Sequence, residues 1–143
     1  MSGIAGILSN GRTTTERLLF DGLCHTFGRV DRETGEREAR ILGGPLKGMR
    51  LALLKTPRPS YILGRYEPEL HASMAADLPT GGVAYDVGSH IGYAALALSQ
   101  VTGSSGQVFA FEIDSASIDT LRANVASNAS DSVEVVELSL IHI

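Results

Sequence analysis

The sequence has one cysteine, Cys24, and no tryptophan among its 143 residues. A single thiol excludes an internal disulfide and a zinc site built on several cysteines, and it suits a reducing compartment. No apolar run reaches the ~18–20 residues of a membrane-spanning helix. The first 17 residues have no basic segment ahead of their short apolar stretch, so no secretory signal is predicted. We therefore expect a cytoplasmic protein without a membrane span.

Charge is distributed unevenly along the chain, whose net value is −4. Residues 1–60 carry ten lysines and arginines against six acidic residues, whereas residues 61–143 carry two against ten. The acidic second half argues against a nucleic-acid-binding face over the whole chain. The basic residues are scattered, which fits a solvated surface, with contact to a partner or an anionic substrate as the alternative. Histidine, aspartate and glutamate show no metal-ligand spacing, so no metal is expected.

Hydrophobic residues make up 43% of the sequence and charged residues 20%, a balance that supports a packed core in one ordinary domain. The N-terminal part, 1–80, is predicted to hold a helix, a β-hairpin and a lead-in helix. The first helix starts at Thr13 or Thr14, either of which can cap it, and runs to about Phe27. Cys24 on this helix is expected to be a small core residue. Its predicted inward face consists of Leu18, Leu19, Leu23 and Phe27.

Two short apolar stretches, 39–42 and 49–54, flank a glycine-rich break and predict the hairpin. Residues 61–63 are predicted to add a short strand. Residues 67–78 predict a helix, and Pro68 suits its first turn. The predicted inward residues of this helix are Leu70, Met74 and Leu78.

From residue 82 onward, apolar strands alternate with helices. Strands are predicted at 82–88, 107–112 and 132–137, with helices at 92–101 and 115–128 between them. The first of these strands is predicted to be buried. This repetition is typical of a parallel α/β sheet with right-handed crossovers.

Acidic residues and glycines fall where the predicted strands end. Asp86 ends the first parallel strand, and Gly88 and Gly92 follow it at a spacing of four. Glycine lets a ligand approach the backbone closely, and a helix N-terminus presents free N–H groups. Glu112 ends the next strand, 20 residues after Gly92, the offset at which a carboxylate binds ribose hydroxyls in nucleoside-binding folds. The alternatives are turn and packing glycines, a helix-capping Asp86 and a surface Glu112.

Two nucleoside cofactors compete for this pattern. A dinucleotide-binding fold prefers Gly-x-Gly-x-x-Gly, whose glycines cradle a pyrophosphate. Here the pattern is Asp-x-Gly-x-x-x-Gly, and a carboxylate at the strand end would repel a pyrophosphate. S-adenosylmethionine has a cationic amino group and a ribose but no phosphate. The charge pattern therefore favours S-adenosylmethionine over NAD as the cofactor.

The segments 83–100 (VAYDVGSHIGYAALALSQ) and 107–128 (QVFAFEIDSASIDTLRANVASN) resemble class I S-adenosylmethionine-dependent methyltransferases, and more narrowly the FkbM family. That family typically shows Asp-Val-Gly-Ala-Asn-Ile-Gly-Tyr, then Phe-Glu-Pro-Asp, with Leu and Asn-Val further on. The later part is matched here by Leu121, Asn124 and Val125.

The resemblance extends upstream to 44–51 (GPLKGMRL) and 63–70 (LGRYEPEL), so that it covers roughly 41–137. It implies an α/β fold with a Rossmann-like class I methyltransferase sheet, preceded by a small α+β N-terminal region. The S-adenosylmethionine-binding domain would occupy 81–137. Because sheets of this class have more strands than the three present here, we expect it to be truncated after its third strand.

Four residues of the glycine-containing loop take cofactor roles by this resemblance. Asp86 would face the methionine amino group. Gly88, Ser89 and Gly92 would form the loop around the methionyl and ribose groups.

The resemblance assigns further cofactor contacts around the end of the second parallel strand, where two of the residues differ from the family pattern. Glu112 would bind the ribose hydroxyls. Ile113, which stands where proline is usual, would flank the adenine. His90 stands where asparagine is usual, either as a plain loop residue or as a cofactor or substrate contact. Tyr66 and Glu67 would cover the cofactor or serve packing and helix initiation only.

The last six residues, 138–143, match the translation of a widely used transposase-end sequencing adapter. We therefore expect a non-native tail there, with a native strand extension as the alternative. In the complete fold, the first parallel strand is central. Without a fourth strand, residues 83–87 would form an open apolar edge, and the chain alone is expected to be unstable or to aggregate.

The resulting hypothesis is a methyltransferase that moves the methyl group of S-adenosylmethionine to a hydroxyl of a small molecule, sugar, lipid or peptide. The chain would hold the cofactor half-site, with no catalytic base named and no nucleic-acid partner. The alternatives are an NAD-dependent oxidoreductase and a non-catalytic nucleoside-binding fragment.

Overall fold

The computed structural model describes residues 14–30, 36–53 and 58–138. The elements of the first half are α1 (Thr14–Phe27), β1 (Gly28–Val30), β2 (Arg37–Arg40), β3 (Arg50–Leu53), α2 (Pro59–Leu63) and α3 (Pro68–Asp77). Those of the second half are β4 (Val83–Val87), α4 (Tyr93–Thr102), β5 (Gln107–Glu112), α5 (Ser115–Ser127) and β6 (Val133–Glu137). The predictions made for Thr13, for Leu54 and for the tail at 139–143 lie outside the described residues.

The three N-terminal strands form an antiparallel sheet in the order β1–β2–β3. Ala39 of β2 pairs with Gly28 of β1 on one side and with Leu51 of β3 on the other. The predicted hairpin is confirmed, and β1 adds a third strand directly after α1. The core under this sheet is apolar and includes Phe20, Cys24, Ala39, Ile41, Leu46, Leu51 and Ile62.

Helix α1 confirms the predicted bounds and the buried Cys24, but the predicted inward face is wrong. Phe20 and Cys24, four residues apart, are its buried residues. Three of the four residues expected inside are exposed, namely Leu18, Leu19 and Phe27. The helix lies on a narrow sheet and on α2, so it buries one stripe of i, i+4 neighbours rather than a wide face.

The segment predicted as a strand at 61–63 is helical instead, within α2. Pro59 occupies the first turn of α2, where its missing N–H costs nothing, and the helix ends at Gly64. Helix α3 is confirmed, with Met74 and Leu78 packed against the core. Leu70 is exposed, contrary to the prediction, because α3 packs on α4 along one side only.

The second half forms a parallel sheet in the order β4–β5–β6, as the alternating pattern predicts. Helices α4 and α5 pack on one face of it. Their shared core is formed by Ala84, Ala95, Leu98, Val108, Ala110, Leu121 and Val133. The fold class is therefore a mixed α/β structure with a Rossmann-like parallel sheet.

The opposite face of this sheet is open among the described residues. Val83, Tyr85 and Val87 of β4 are 54%, 67% and 77% exposed. The ring of Tyr85 stacks on Phe109 and Phe111 of β5, with centroids 5.4 and 6.2 Å apart. The prediction of a buried strand at 82–88 is thus wrong for one face, because β4 is the edge strand of the described sheet.

The two halves share a core, since Ile91, Tyr93, Leu96 and Ala97 pack with the residues of α1, α2 and the antiparallel sheet. Helix α5 also contacts β3. Within 14–30, 36–53 and 58–138, no helix combines the length and apolar character needed to cross a bilayer.

Candidate functional site

The loop after β4, residues 88–92, is bound to the end of the neighbouring strand. The backbone N–H groups of Gly88 and Ser89 both donate to the carbonyl oxygen of Phe111, at 2.9 and 3.0 Å. The hydroxyl of Ser89 donates to the carbonyl oxygen of Asp86 at 2.9 Å. Gly92 N–H closes the turn on the carbonyl of Ser89 at 2.7 Å. The loop therefore has a defined shape at the carboxyl edge of the sheet.

The two glycines of this loop have different surroundings. Both have positive φ, +84° at Gly88 and +87° at Gly92, a conformation that favours glycine. A Cβ at Gly88 would meet nothing within 4 Å, so this position borders open space. A Cβ at Gly92 would lie 2.4 Å from Cδ1 of Leu121. Gly88 thus leaves room for a ligand, while Gly92 lets α4 begin against α5.

Asp86 carries an unsatisfied carboxylate oxygen. Its Oδ2 is buried and has no hydrogen-bond partner among the described residues. Burial raises the pKa of Asp86, and the charges of Glu112 and Glu67 add to that rise, while the Ser89 hydroxyl and the Ala95 N–H lower it. A buried carboxylate oxygen without a donor is costly, so this position is suited to a cationic or hydrogen-bond-donating ligand group.

Glu112, by contrast, is nearly saturated by the backbone. Its Oε2 accepts from His90 N–H at 2.7 Å, and its Oε1 accepts from Ile113 and Asp114 N–H at 2.7 and 3.0 Å. Burial raises the pKa of Glu112, but these three donors outweigh it, so that the pKa is lowered. A carboxylate has about four acceptor positions. Glu112 therefore has room for one more donor.

The remaining predicted residues surround this carboxylate. His90 adopts φ +49°, which directs its N–H to Glu112, and its side chain is exposed. Ile113 is 42% exposed beside Glu112. Asp114 caps α5 by accepting from Ser117 N–H at 2.9 Å. The structure thus places Asp86, the 88–92 loop and the 112–114 turn at one edge of the sheet.

Tyr66 belongs to a ring cluster next to this edge. It packs against Tyr61 and Tyr93, with centroids 4.4 and 5.4 Å apart. Glu67 follows Tyr66 in the chain. Its backbone φ of +45° is strained for a residue other than glycine, and its negative charge contributes to the raised pKa of Asp86.

Tyr93 of this cluster and the neighbouring His71, neither of which the sequence pointed to as a site residue, carry polar atoms without partners among the described residues. The hydroxyl of Tyr93 is buried without a partner, and burial raises the pKa of Tyr93 to about 12. Both ring nitrogens of His71, 5.5 Å from Tyr93 by centroids, also lack partners. The sequence signal for Tyr93 was its position directly after Gly92, where the FkbM pattern also has tyrosine.

The opposite, amino-terminal edge of the parallel sheet has a cavity of about 520 Å³. Its lining is polar and includes Ser99, Gln107, Asn128, Ser130 and Ser132. None of its lining side chains has a buried polar atom without a partner, so it offers no built binding group. In the part of the chain that the structure describes, no three metal-ligating side chains lie together.

No family model matches the sequence, and no curated protein does. Solved structures do. TYW2 of Pyrococcus horikoshii, in complex with MeSAdo, is 17% identical over 73% of this chain and 36% of its own, with a TM-score of 0.52. The Escherichia coli protein yhhF, assigned as a methyltransferase, is 20% identical over 73% of this chain and 55% of its own, also at 0.52.

A SAM-dependent methyltransferase from Aquifex aeolicus is 25% identical over 51% of this chain and 38% of its own, with a TM-score of 0.45. The chain therefore spans between about a third and a little over half of the length of these three structures. At these identities the likeness concerns the fold. The described α/β structure shares its Rossmann-like fold with TYW2 and yhhF.

Proposed function

We propose that this chain binds S-adenosylmethionine at the carboxyl edge of its parallel sheet and supplies the cofactor half-site of a methyltransferase. The observation that carries the proposal is the buried Oδ2 of Asp86, which has no hydrogen-bond partner among the described residues. Two residues further on, a Cβ at Gly88 would meet nothing within 4 Å. An α-ammonium group would provide both the charge and the N–H donors that this oxygen lacks.

The charge of the site supports S-adenosylmethionine over a dinucleotide. Asp86 and Glu112 lie at the edge where the ligand would bind. These two carboxylates would repel a pyrophosphate, whereas they attract a ligand with a sulfonium and an ammonium group. The NAD-dependent oxidoreductase alternative would require a pyrophosphate loop that the 88–92 segment does not provide.

The other predicted contacts follow from what each residue still offers. Gly88 and Ser89 would line the methionyl group. Glu112, with one acceptor position left, would take a single ribose hydroxyl rather than a bidentate pair. Ile113 would flank the adenine with its exposed side chain, and Gly92 would contribute through the loop geometry it permits. His90 would contribute its backbone, since its N–H holds Glu112 in place.

The bound cofactor would supply an electrophilic methyl group. The residues of this chain would position it and exclude water from it. The FkbM-like sequence pattern supports a hydroxyl acceptor on a small molecule, sugar, lipid or peptide. We assign none of the described residues as the base that would take the proton from the acceptor hydroxyl. The remaining alternative, nucleoside binding without turnover, differs by the absence of methyl transfer.

Calorimetric titration of S-adenosylhomocysteine into the purified chain tests the proposal, with NAD as the ligand control. We expect S-adenosylhomocysteine to bind and NAD not to bind. Asp86→Asn should weaken binding about ten-fold or more, the effect of losing one charge-assisted hydrogen bond.

Asp114→Asn is the matched control. It removes a carboxylate from the same edge, but asparagine caps a helix as well as aspartate, so binding should stay close to wild type. Equal losses in the two variants would mean that only overall charge matters. No binding by folded wild-type chain, or binding of NAD, would overturn the proposal.

A further inference from the structure

Asn124 of α5 and Asn128, the residue that caps the C-terminus of α5, take the place of a neighbouring strand along the outer edge of β3. Asn128 accepts from Arg50 N–H at 3.0 Å and donates to the Arg50 carbonyl at 2.7 Å. Asn124 accepts from Ala52 N–H at 2.6 Å and donates to the Ala52 carbonyl at 3.1 Å. An edge strand normally leaves such groups unpaired. Here two carboxamides satisfy them in the way that peptide groups of another strand would.

The spacing of the two asparagines explains how a helix can do this. Residues four apart in a helix share a face and are separated by ~6 Å along its axis. Residues two apart in a strand point to the same edge and are separated by ~6.6–6.8 Å. Asn124 and Asn128 therefore match Arg50 and Ala52 almost in register, in the reverse direction.

The two asparagines differ in their third hydrogen bond. Asn128 donates to the carbonyl of Asn124, within its own helix, at 2.8 Å. Asn124 donates to the carbonyl of Ile91 at 2.8 Å. Ile91 lies in the 88–92 loop, directly after His90, whose N–H binds Glu112. Asn124 is only 1% exposed, so no water competes for these bonds.

We infer that Asn124 is a positioning residue that links the antiparallel sheet to the ligand-binding loop. It holds Ile91 and Ala52 with one carboxamide, so the shape of the 88–92 loop depends on β3 being in place. As far as it concerns the ligand, this inference rests on the proposed function. Asn128 pairs with the same edge of β3 but does not bond to the 88–92 loop, and is therefore the matched control for Asn124.

Hydrogen exchange of the unliganded chain separates the two roles. Asn128→Ala should speed exchange in peptides that cover β3 and leave those that cover 88–96 unchanged. Asn124→Ala should speed exchange in both. Asn124→Asp keeps the volume and the acceptor toward Ala52 but not the donors, and provides the second variant if alanine prevents folding.

Ligand affinity is a measurement that a purely structural role of Asn124 would leave unchanged. S-adenosylhomocysteine affinity should fall about five-fold or more in the Asn124 variant and stay within about two-fold of wild type in Asn128→Ala. Equal loop exchange in the two variants, or equal affinities, would overturn the inference. Failure of the proposed function would appear separately, as wild-type chain that binds no S-adenosylhomocysteine, and the exchange comparison would still decide the role of Asn124.

Discussion

The two sheets of this molecule treat their outer strands in opposite ways. In the antiparallel sheet, the outward N–H and C=O groups of Arg50 and Ala52 in β3 are paired with Asn124 of α5 and with its C-cap residue Asn128. In the parallel sheet, β4 is the edge of the described strands and exposes Val83, Tyr85 and Val87.

This difference separates a region whose polar groups are paired from one that keeps unpaired groups at the candidate site. The antiparallel sheet ends in satisfied polar groups and a closed apolar core, so its contribution is stability. The carboxyl edge of the parallel sheet has an Asp86 oxygen with no partner among the described residues and an open space over Gly88. Glu67, at the start of α3, has a strained backbone. Unsatisfied groups and backbone strain are costs that a fold retains at binding sites.

The largest expected effect lies in the closed region. Phe20→Ala should lower the free energy of unfolding by ~3–5 kcal/mol, because it empties part of the core under the antiparallel sheet. Leu19→Ala, one position away on the exposed side of α1, should cost less than ~1 kcal/mol. Urea denaturation measures both. Similar costs would mean that the buried stripe of α1 is assigned to the wrong residues.

The next effect tests the saturated carboxylate at the end of β5. Glu112→Ala should cost ~2–3 kcal/mol, since it leaves three backbone N–H groups without their acceptor. Glu137, its register partner on β6, provides the control. It is exposed and, among the described residues, forms an ion pair with Arg122 at 3.2 Å, so Glu137→Ala should cost no more than ~1 kcal/mol. Equal losses by thermal denaturation would contradict the bracing role of Glu112.

A smaller effect is expected from pH, with opposite signs at the two carboxylates. The lowered pKa of Glu112 means that its ionised form stabilises the fold. That contribution is complete above the ordinary glutamate value of about 4.3 and is lost as pH falls through the lowered pKa. Asp86 has a raised pKa, so its ionisation destabilises the fold as pH rises from about 3.9 through the raised value.

Asp86→Asn therefore should be more stable than wild type at pH 7, by about 1 kcal/mol, and should lose this advantage at pH 3. Glu112→Gln should show the reverse trend, with its largest deficit at pH 7. Unfolding free energies from pH 3 to 7 give both slopes. If the wild-type chain were more stable than Asp86→Asn at pH 7, the carboxylate oxygen Oδ2 of Asp86 could not be unpaired as described.

A similarly small effect on stability is expected on the open face. Tyr85→Ser should cost no more than ~1.5 kcal/mol, because it loses ring stacking on Phe109 and Phe111 but no buried core. It should also reduce self-association, since an exposed apolar edge strand promotes it. Sedimentation velocity of the two proteins at several concentrations measures this. Unchanged association would mean that a surface other than the exposed face of β4 mediates it.

Local sequence signals predicted the parallel sheet better than the N-terminal half. The apolar alternation of β5 and the Ile118 and Leu121 face of α5 needed only their own segments to be recognised. At 61–63 the apolar triplet suggested a strand, and Pro59 with Gly64 decided for a helix. The buried face of α1 was missed because it depends on where β2 and α2 lie, which no local pattern encodes.

The sequence by itself determined the order of elements, the acidic residues and glycines at the strand ends, and the charge preference of the site. Only the tertiary structure decided which carboxylate is free. Glu112 is nearly saturated because the N–H of His90, 22 residues earlier in the chain, donates to it at 2.7 Å in addition to two neighbouring N–H groups. The Oδ2 of Asp86 remains unpaired because no donor among the described residues reaches it. Hydrogen-bond satisfaction depends on atoms brought together across the fold, so neighbouring residues in the sequence cannot reveal it.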